Sequence, residues 1–308
     1  MFSRGSLANR SHFTQLLSLL FLAFIGASLA SFLGFLLVKP LFGIDAFNNS
    51  AALFNYELPA AVSALKLIQI VSSIGIFIIP VWYYGFLMDG NKEGIASNLR
   101  MQKMPIISLS VIVIVLMFCI SPAIDLLTRF NELMKLPGFL SNVEQWMKTQ
   151  EDQASTITKV FLQMDGINSL LVNLLMIGIL PAIGEELIFR GALQRLFASW
   201  TKNPHLGIII AAFIFSAIHI QFYGFLPRFA LGVLLGYLFY WSNNLWLPIL
   251  GHFINNGTAV IASFLAQRGF INYDMDEPAI LPAYLIVISI LLSFGGFYLF
   301  YNENKKLA

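Results

Sequence analysis

The chain has 308 residues, 58% of them hydrophobic and only 11% charged, against roughly 25% charged in soluble domains. This excludes an ordinary soluble domain and predicts an all-α, polytopic transmembrane helical bundle. The net charge of +2 gives no basis for a nucleic-acid partner, and with Cys119 as the only cysteine the chain has neither an internal disulfide nor a cysteine-based metal cage.

The predicted elements begin with an apolar run over 16–38, preceded by Arg4 and Arg10. Ala27, Ser28, Leu29 and Ala30 resemble a signal-peptide cleavage site. The run continues past them for about 20 or more residues in all, so it reads as an uncleaved first helix. About eight spans follow from hydropathy, over 15–38, 61–88, 105–127, 167–198, 206–222, 225–241, 245–266 and 281–301. The fourth is longer than a simple span and is expected to tilt or to continue beyond the bilayer. The 128–166 connection reads either as a helix along the interface, with Trp146 and scattered apolar residues, or as a partly ordered connection.

With eight spans, Arg4, Arg10, Lys92, Arg100, Lys103, Arg195, Lys202, Lys305 and Lys306 fall on one side. The opposite side carries Asp45, Glu57, Asp274, Asp276 and Glu277 with Lys39 and Arg268, and the mixed charges of 128–166. The positive-inside rule then predicts both termini in the cytoplasm. Lys66 is expected to snorkel, Asp125 to sit near a helix end, and Arg228 to meet lipid phosphate at the start of the sixth span.

Three polar clusters interrupt these apolar helices: Glu185, Glu186 and Arg190; Phe215 and His219; His252 and Asn256. Ionisable groups in a membrane are expensive and mark a site by default. Taking 199–205 as the turn of an antiparallel hairpin, Glu185 precedes it by 14 residues and His219 follows it by 14, which sets both about 21 Å from the turn. His252 and Asn256 are expected roughly 10–16 Å along their own span, entered from the same side.

Glu186 and Arg190 stand at i,i+4 in the favourable order for a pair. Glu185, about 100° around the helix from Glu186, is the carboxylate freer to face a substrate and to serve as a general base. Phe215 shares a face with His219, where its ring can limit rotation of the imidazole. His252 and Asn256 share another face and can present two hydrogen-bond donors to an oxyanion.

The ordered motifs EExxxR at Glu185–Arg190, FxxxH at Phe215–His219 and HxxxN at His252–Asn256 resemble the CPBP family, the CaaX-protease and bacteriocin-processing or Abi proteins, which are similar to the CaaX-prenyl endopeptidase. Gly232, Gly236 and the stretch from Asn244 share the resemblance. It covers 166–266, read as a catalytic core between an N-terminal three-span region (1–165) and a C-terminal span and tail (267–308).

The resemblance implies an intramembrane endopeptidase whose helical core opens toward the cytoplasm. Glu185 and His219 would activate water, His252 and Asn256 would stabilise the oxyanion, and Glu186 and Arg190 would hold the site in place. It implies no single answer on metal. Glu185, His219 and His252 are a conceivable zinc set, with Glu186 then the candidate base, whereas a glutamate-driven mechanism needs none. Expected partners are membrane lipid and a protein or peptide substrate, its lipidation left open, and the expected location is the cell (inner) membrane.

The motifs of other intramembrane proteases fit less well: HExxH and GxSxG are absent, and Asp125 has no evident aspartyl partner. Two other readings stand beside the peptidase. One is a non-proteolytic immunity or scaffold protein binding a peptide or lipid in the same cavity. The other is an ion or proton carrier, against which the lack of an internal repeat counts.

Overall fold

The computed structural model describes residues 5–89, 99–273 and 281–307. Arg4, Lys92, Asp274, Asp276 and Glu277, which entered the reckoning of loop charge, lie outside these residues. Among the described residues the chain is helical throughout, without strands.

Among the described residues, seven helices are long and apolar enough to cross a membrane. They are α1 (His12–Phe42), α2 (Pro59–Asp89), α3 (Ile107–Glu132), α5 (Ile167–Thr201), α7 (Phe225–Ser242), α8 (Trp246–Gln267) and α9 (Ala283–Leu307). Between α3 and α5 lies α4 (Ser141–Phe161), so the 128–166 connection does contain a helix. It is amphipathic and too polar to span.

The fifth predicted span, 206–222, is the point of difference. Here α6 covers only Pro204–Ala217, about 21 Å of helix against a hydrocarbon layer of about 30 Å. The helix was expected to reach residue 222, but the chain leaves it at 218–221, where Ile220 takes φ +54°.

The loops predicted to share a side do so. Gly5 and Leu7 donate backbone hydrogen bonds to Met88 and Leu87. His12 meets Ser199 across the bundle. Leu245 donates to the Arg100 carbonyl and Asn244 to that of Lys103. Asn304 of α9 bonds the carbonyl of Trp241. One face of the bundle thus gathers Arg10, Arg100, Lys103, Lys202, Lys305 and Lys306.

Close helix crossings rest on small residues, as expected where apolar lipid offers no hydrophobic drive between helices. A Cβ at Gly26 of α1 would lie 2.1 Å from the Gly75 carbonyl oxygen of α2, and one at Gly75 would lie 2.1 Å from Cβ of Ala30. The outward face of α1 exposes Phe21, Phe24 and Leu29.

Two stretches of wider π-type winding, Ile74–Ile78 in α2 and Leu174–Ile179 in α5, stand just before Pro80 and Pro181. A proline has no N–H to give the carbonyl four residues back, so regular α winding fails there. A third such stretch, Leu187–Gln194, follows the two glutamates in α5.

Two of the single polar residues differ from expectation. Lys66 is buried, at 8% exposure, rather than snorkelling; it sits inward in the field of Asp165. Arg228 turns back onto its own chain, donating to the side chain and carbonyl of Gln221 rather than facing outward to lipid.

Candidate functional site

Glu186 is at the centre of the polar cluster and is wholly buried. Its Oε1 accepts from Nη1 of Arg190 at 2.6 Å and from Nδ1 of His252 at 2.8 Å. The i,i+4 pair forms as predicted, and the same oxygen joins α5 to α8. His252 was expected at a shallower depth than the glutamates, yet it lies level with them, because α5 is long enough to carry its acidic turn to the depth of the α8 imidazole.

Arg190, 1% exposed, extends Nη2 to the Gly232 carbonyl of α7 at 2.9 Å. Four residues on, Gln194 repeats the motion, its Nε2 reaching the Gly236 carbonyl at 3.0 Å. Glycine suits both positions for a packing reason. A Cβ at Gly232 would come 3.0 Å from Cβ of Ala212, and one at Gly236 would come 2.7 Å from Ile208 and 3.0 Å from Oε1 of Gln194.

Glu185 is the carboxylate left facing the site, its side chain 14% exposed. Its Oε2 lies 3.8 Å from Nε2 of His252, too far for a direct hydrogen bond. Because Nδ1 of His252 donates to Glu186, the neutral ring carries its proton there and turns an unprotonated Nε2 toward Glu185.

His219 stands two residues beyond the end of α6. Its Nδ1 donates to the Phe215 carbonyl at 2.7 Å, which again leaves Nε2 as the free nitrogen. Phe215 joins the two imidazoles, its ring centroid 5.1 Å from that of His219 and 6.0 Å from that of His252. The Arg190 guanidinium lies 5.1 Å from the same ring, and Phe189 closes on it edge-on. The aromatic residue of FxxxH thus packs against the histidine of its own motif, as predicted, and against the residues of the other two motifs as well.

Asn256 is placed differently from His252. Its Nδ2 donates to the Ile177 carbonyl of α5 at 3.1 Å, and its Oδ1 accepts from Asn255. Ile177 stands four residues before Pro181, so its carbonyl is the one deprived of an α-helical donor, and Asn256 supplies a replacement. The proline was the signal in the sequence for this contact.

Gly184 sets the position of Glu185 from behind. A Cβ there would lie 2.6 Å from Cβ of Phe77, an atom close to the α2 backbone that cannot swing aside. Gly184→Ala is expected to destabilise the protein by about 1–3 kcal/mol through overpacking and to lower activity by displacing Glu185. Denaturant titration of the purified protein beside a cleavage assay checks both.

Among the described residues no three His, Cys, Asp or Glu side chains are gathered as a metal-binding group. Glu185, His219 and His252 are thus not gathered into a ready site with three protein ligands for zinc.

Residues 167–258 match the family model described as type II CAAX prenyl endopeptidase Rce1-like. The matched stretch runs from the start of α5 into α8 and contains all three motifs, which bears out the resemblance drawn from them. An uncharacterized protein of Bacillus subtilis, YpbD, is 33% identical over 86 residues, which are 27% of this chain and 41% of that protein. The chain thus spans about two fifths of the length of the curated relative it matches. No solved structure matches. The family match supports a peptidase at family level, and the apolar helices support a multi-pass membrane protein.

Proposed function

We propose that the Rce1-like stretch over 167–258 is the catalytic unit of an intramembrane endopeptidase that uses Glu185 as its base. The observation carrying this reading is the contrast between the two adjacent glutamates. Glu186 is buried and committed to Arg190 and His252, whereas Glu185 is partly open and faces an imidazole nitrogen across 3.8 Å.

Polar groups separated by that distance are commonly joined through water. In the proposed reaction Glu185 takes a proton from a water molecule, with Nε2 of His219 sharing in its activation. The hydroxide oxygen bonds to the scissile carbonyl carbon. Glu185 passes that proton to Nε2 of His252, which together with the second amide hydrogen of Asn256 donates to the resulting oxyanion. As the tetrahedral intermediate collapses the C–N bond breaks, and the proton taken from water passes to the departing amine. Glu186 holds His252 in the tautomer and orientation this requires, and Arg190 balances the Glu186 charge.

The substrate is a membrane-associated protein or peptide, and the family description points to a prenylated chain as one form to test. With the basic face taken as cytoplasmic, both termini lie in the cytoplasm of a cell expected to hold the protein in its plasma membrane.

Comparative mapping of protein N-termini in membranes from cells carrying wild type or Glu185→Ala, at matched expression, tests the activity. New termini present only with wild type are expected, and they identify the cut site. Identical maps from two properly inserted proteins, in a host that contains the natural substrates, would overturn the peptidase reading in favour of a binding or scaffold role.

A further inference from the structure

The turn that carries His219 is irregular backbone whose N–H and C=O groups need partners, because one left unpaired away from water costs free energy comparable to a lost hydrogen bond. The turn is also strained. Ile220, next to His219, is β-branched and has φ +54°, a conformation that persists only when its surroundings enforce it.

Those surroundings are specific side chains. Asn131, near the end of α3 and 6% exposed, uses both ends of its amide on the turn. Its Nδ2 donates to the Phe222 carbonyl at 2.9 Å and its Oδ1 accepts from the Leu226 amide at 2.6 Å. Ser216 donates to the Phe225 carbonyl at 2.7 Å, Arg228 to that of Gln221, and Glu151 of α4 accepts from the Tyr223 amide at 3.3 Å. Of these, Asn131 makes two contacts on the C-terminal side of the turn, at Phe222 and Leu226, from a helix more than 90 residues away in the chain.

We propose that Asn131 is a positioning residue for His219: it holds the 222–226 backbone in place and so fixes the imidazole that precedes it. The catalytic part of this inference rests on the peptidase reading above; the structural part does not. Asn131 touches neither imidazole nor carboxylate of the site, and it acts through the turn.

The test uses the purified full chain in detergent, carrying Asn131→Leu, Asn131→Ala or Ser216→Ala, with two readouts. The first is the rate at which diethylpyrocarbonate modifies His219, resolved by mass spectrometry, with His205 as internal reference. The second is the KM and kcat for a peptide spanning the cut site found by terminus mapping.

Asn131→Leu is expected to raise His219 modification several-fold without changing His205. It is also expected to lower kcat by about 10²-fold with little change in KM, the loss that follows a misplacement of about 1 Å. Ser216→Ala, a milder change at the same turn, is expected to move both readouts the same way by less, and Asn131→Ala, which removes the same two amide contacts with a smaller side chain, decides the question if Asn131→Leu does not fold. Wild-type His219 reactivity in a folded variant would overturn the proposal. A wild-type protein that cleaves no peptide, while His219 reactivity still responds to Asn131→Leu, would overturn the peptidase reading and leave the positioning role standing.

Discussion

Glu185→Gln is expected to slow peptide cleavage by about 10²–10⁴-fold, the contribution of a positioned general base, while the protein folds and inserts as wild type does. The substitution keeps the shape of the side chain and removes only its basicity. It disturbs no buried contact, because Glu185 is the carboxylate the packing leaves partly open. Glu186→Gln differs in kind, since it weakens the bonds to Arg190 and His252 together. Steady-state kinetics beside denaturant titration separates the two, with activity lost at constant stability for Glu185 and both lost together for Glu186. Equal loss of stability in the two variants would show that Glu185 is structural and would remove the base from the proposed mechanism.

Arg190→Met is the substitution expected to damage the fold most. It strips the main charge partner from a glutamate with no exposed surface and removes a donor from the Gly232 carbonyl. Breaking a buried ion pair on one side typically costs about 3–5 kcal/mol, because the remaining charge is left uncompensated. Pairing it with Glu186→Gln removes that charge, so the double variant is expected to lose less than the sum of the single losses. Unfolding free energies of the four proteins in mixed micelles measure the coupling. Additive losses would mean that Glu186 and Arg190 do not support one another.

What the sequence made legible follows from what hydropathy and helical periodicity measure. Length and apolar content located seven spans to within a few residues, and periodicity paired Glu186 with Arg190 while leaving Glu185 facing elsewhere. The early end of α6 was hidden for a physical reason. Ile218, Ile220 and Phe222 are as apolar as the helix before them, and the turn is held by Asn131 and Arg228, which hydropathy treats as isolated polar residues. The bond from His252 to Glu186 was hidden too, since it depends on the relative depth of two helices that rise per residue only approximates. The contact between Asn256 and Ile177 was nearer to hand, because Pro181 frees a carbonyl that some donor must satisfy.

The paired contacts of Arg190 and Gln194 with the Gly232 and Gly236 carbonyls have a consequence for motion. Two rungs with the same four-residue spacing on parallel helices set a register. Sliding α7 one turn in one direction would bring Arg190 to the turn of Arg228, one guanidinium against another. Sliding it the other way would bring Gln194 to Tyr240, where a phenol ring replaces the gap a glycine leaves. Both neighbouring settings put a bulky or charged side chain against a rung, so the two contacts oppose sliding of α7 along α5 and hold the pair in one register.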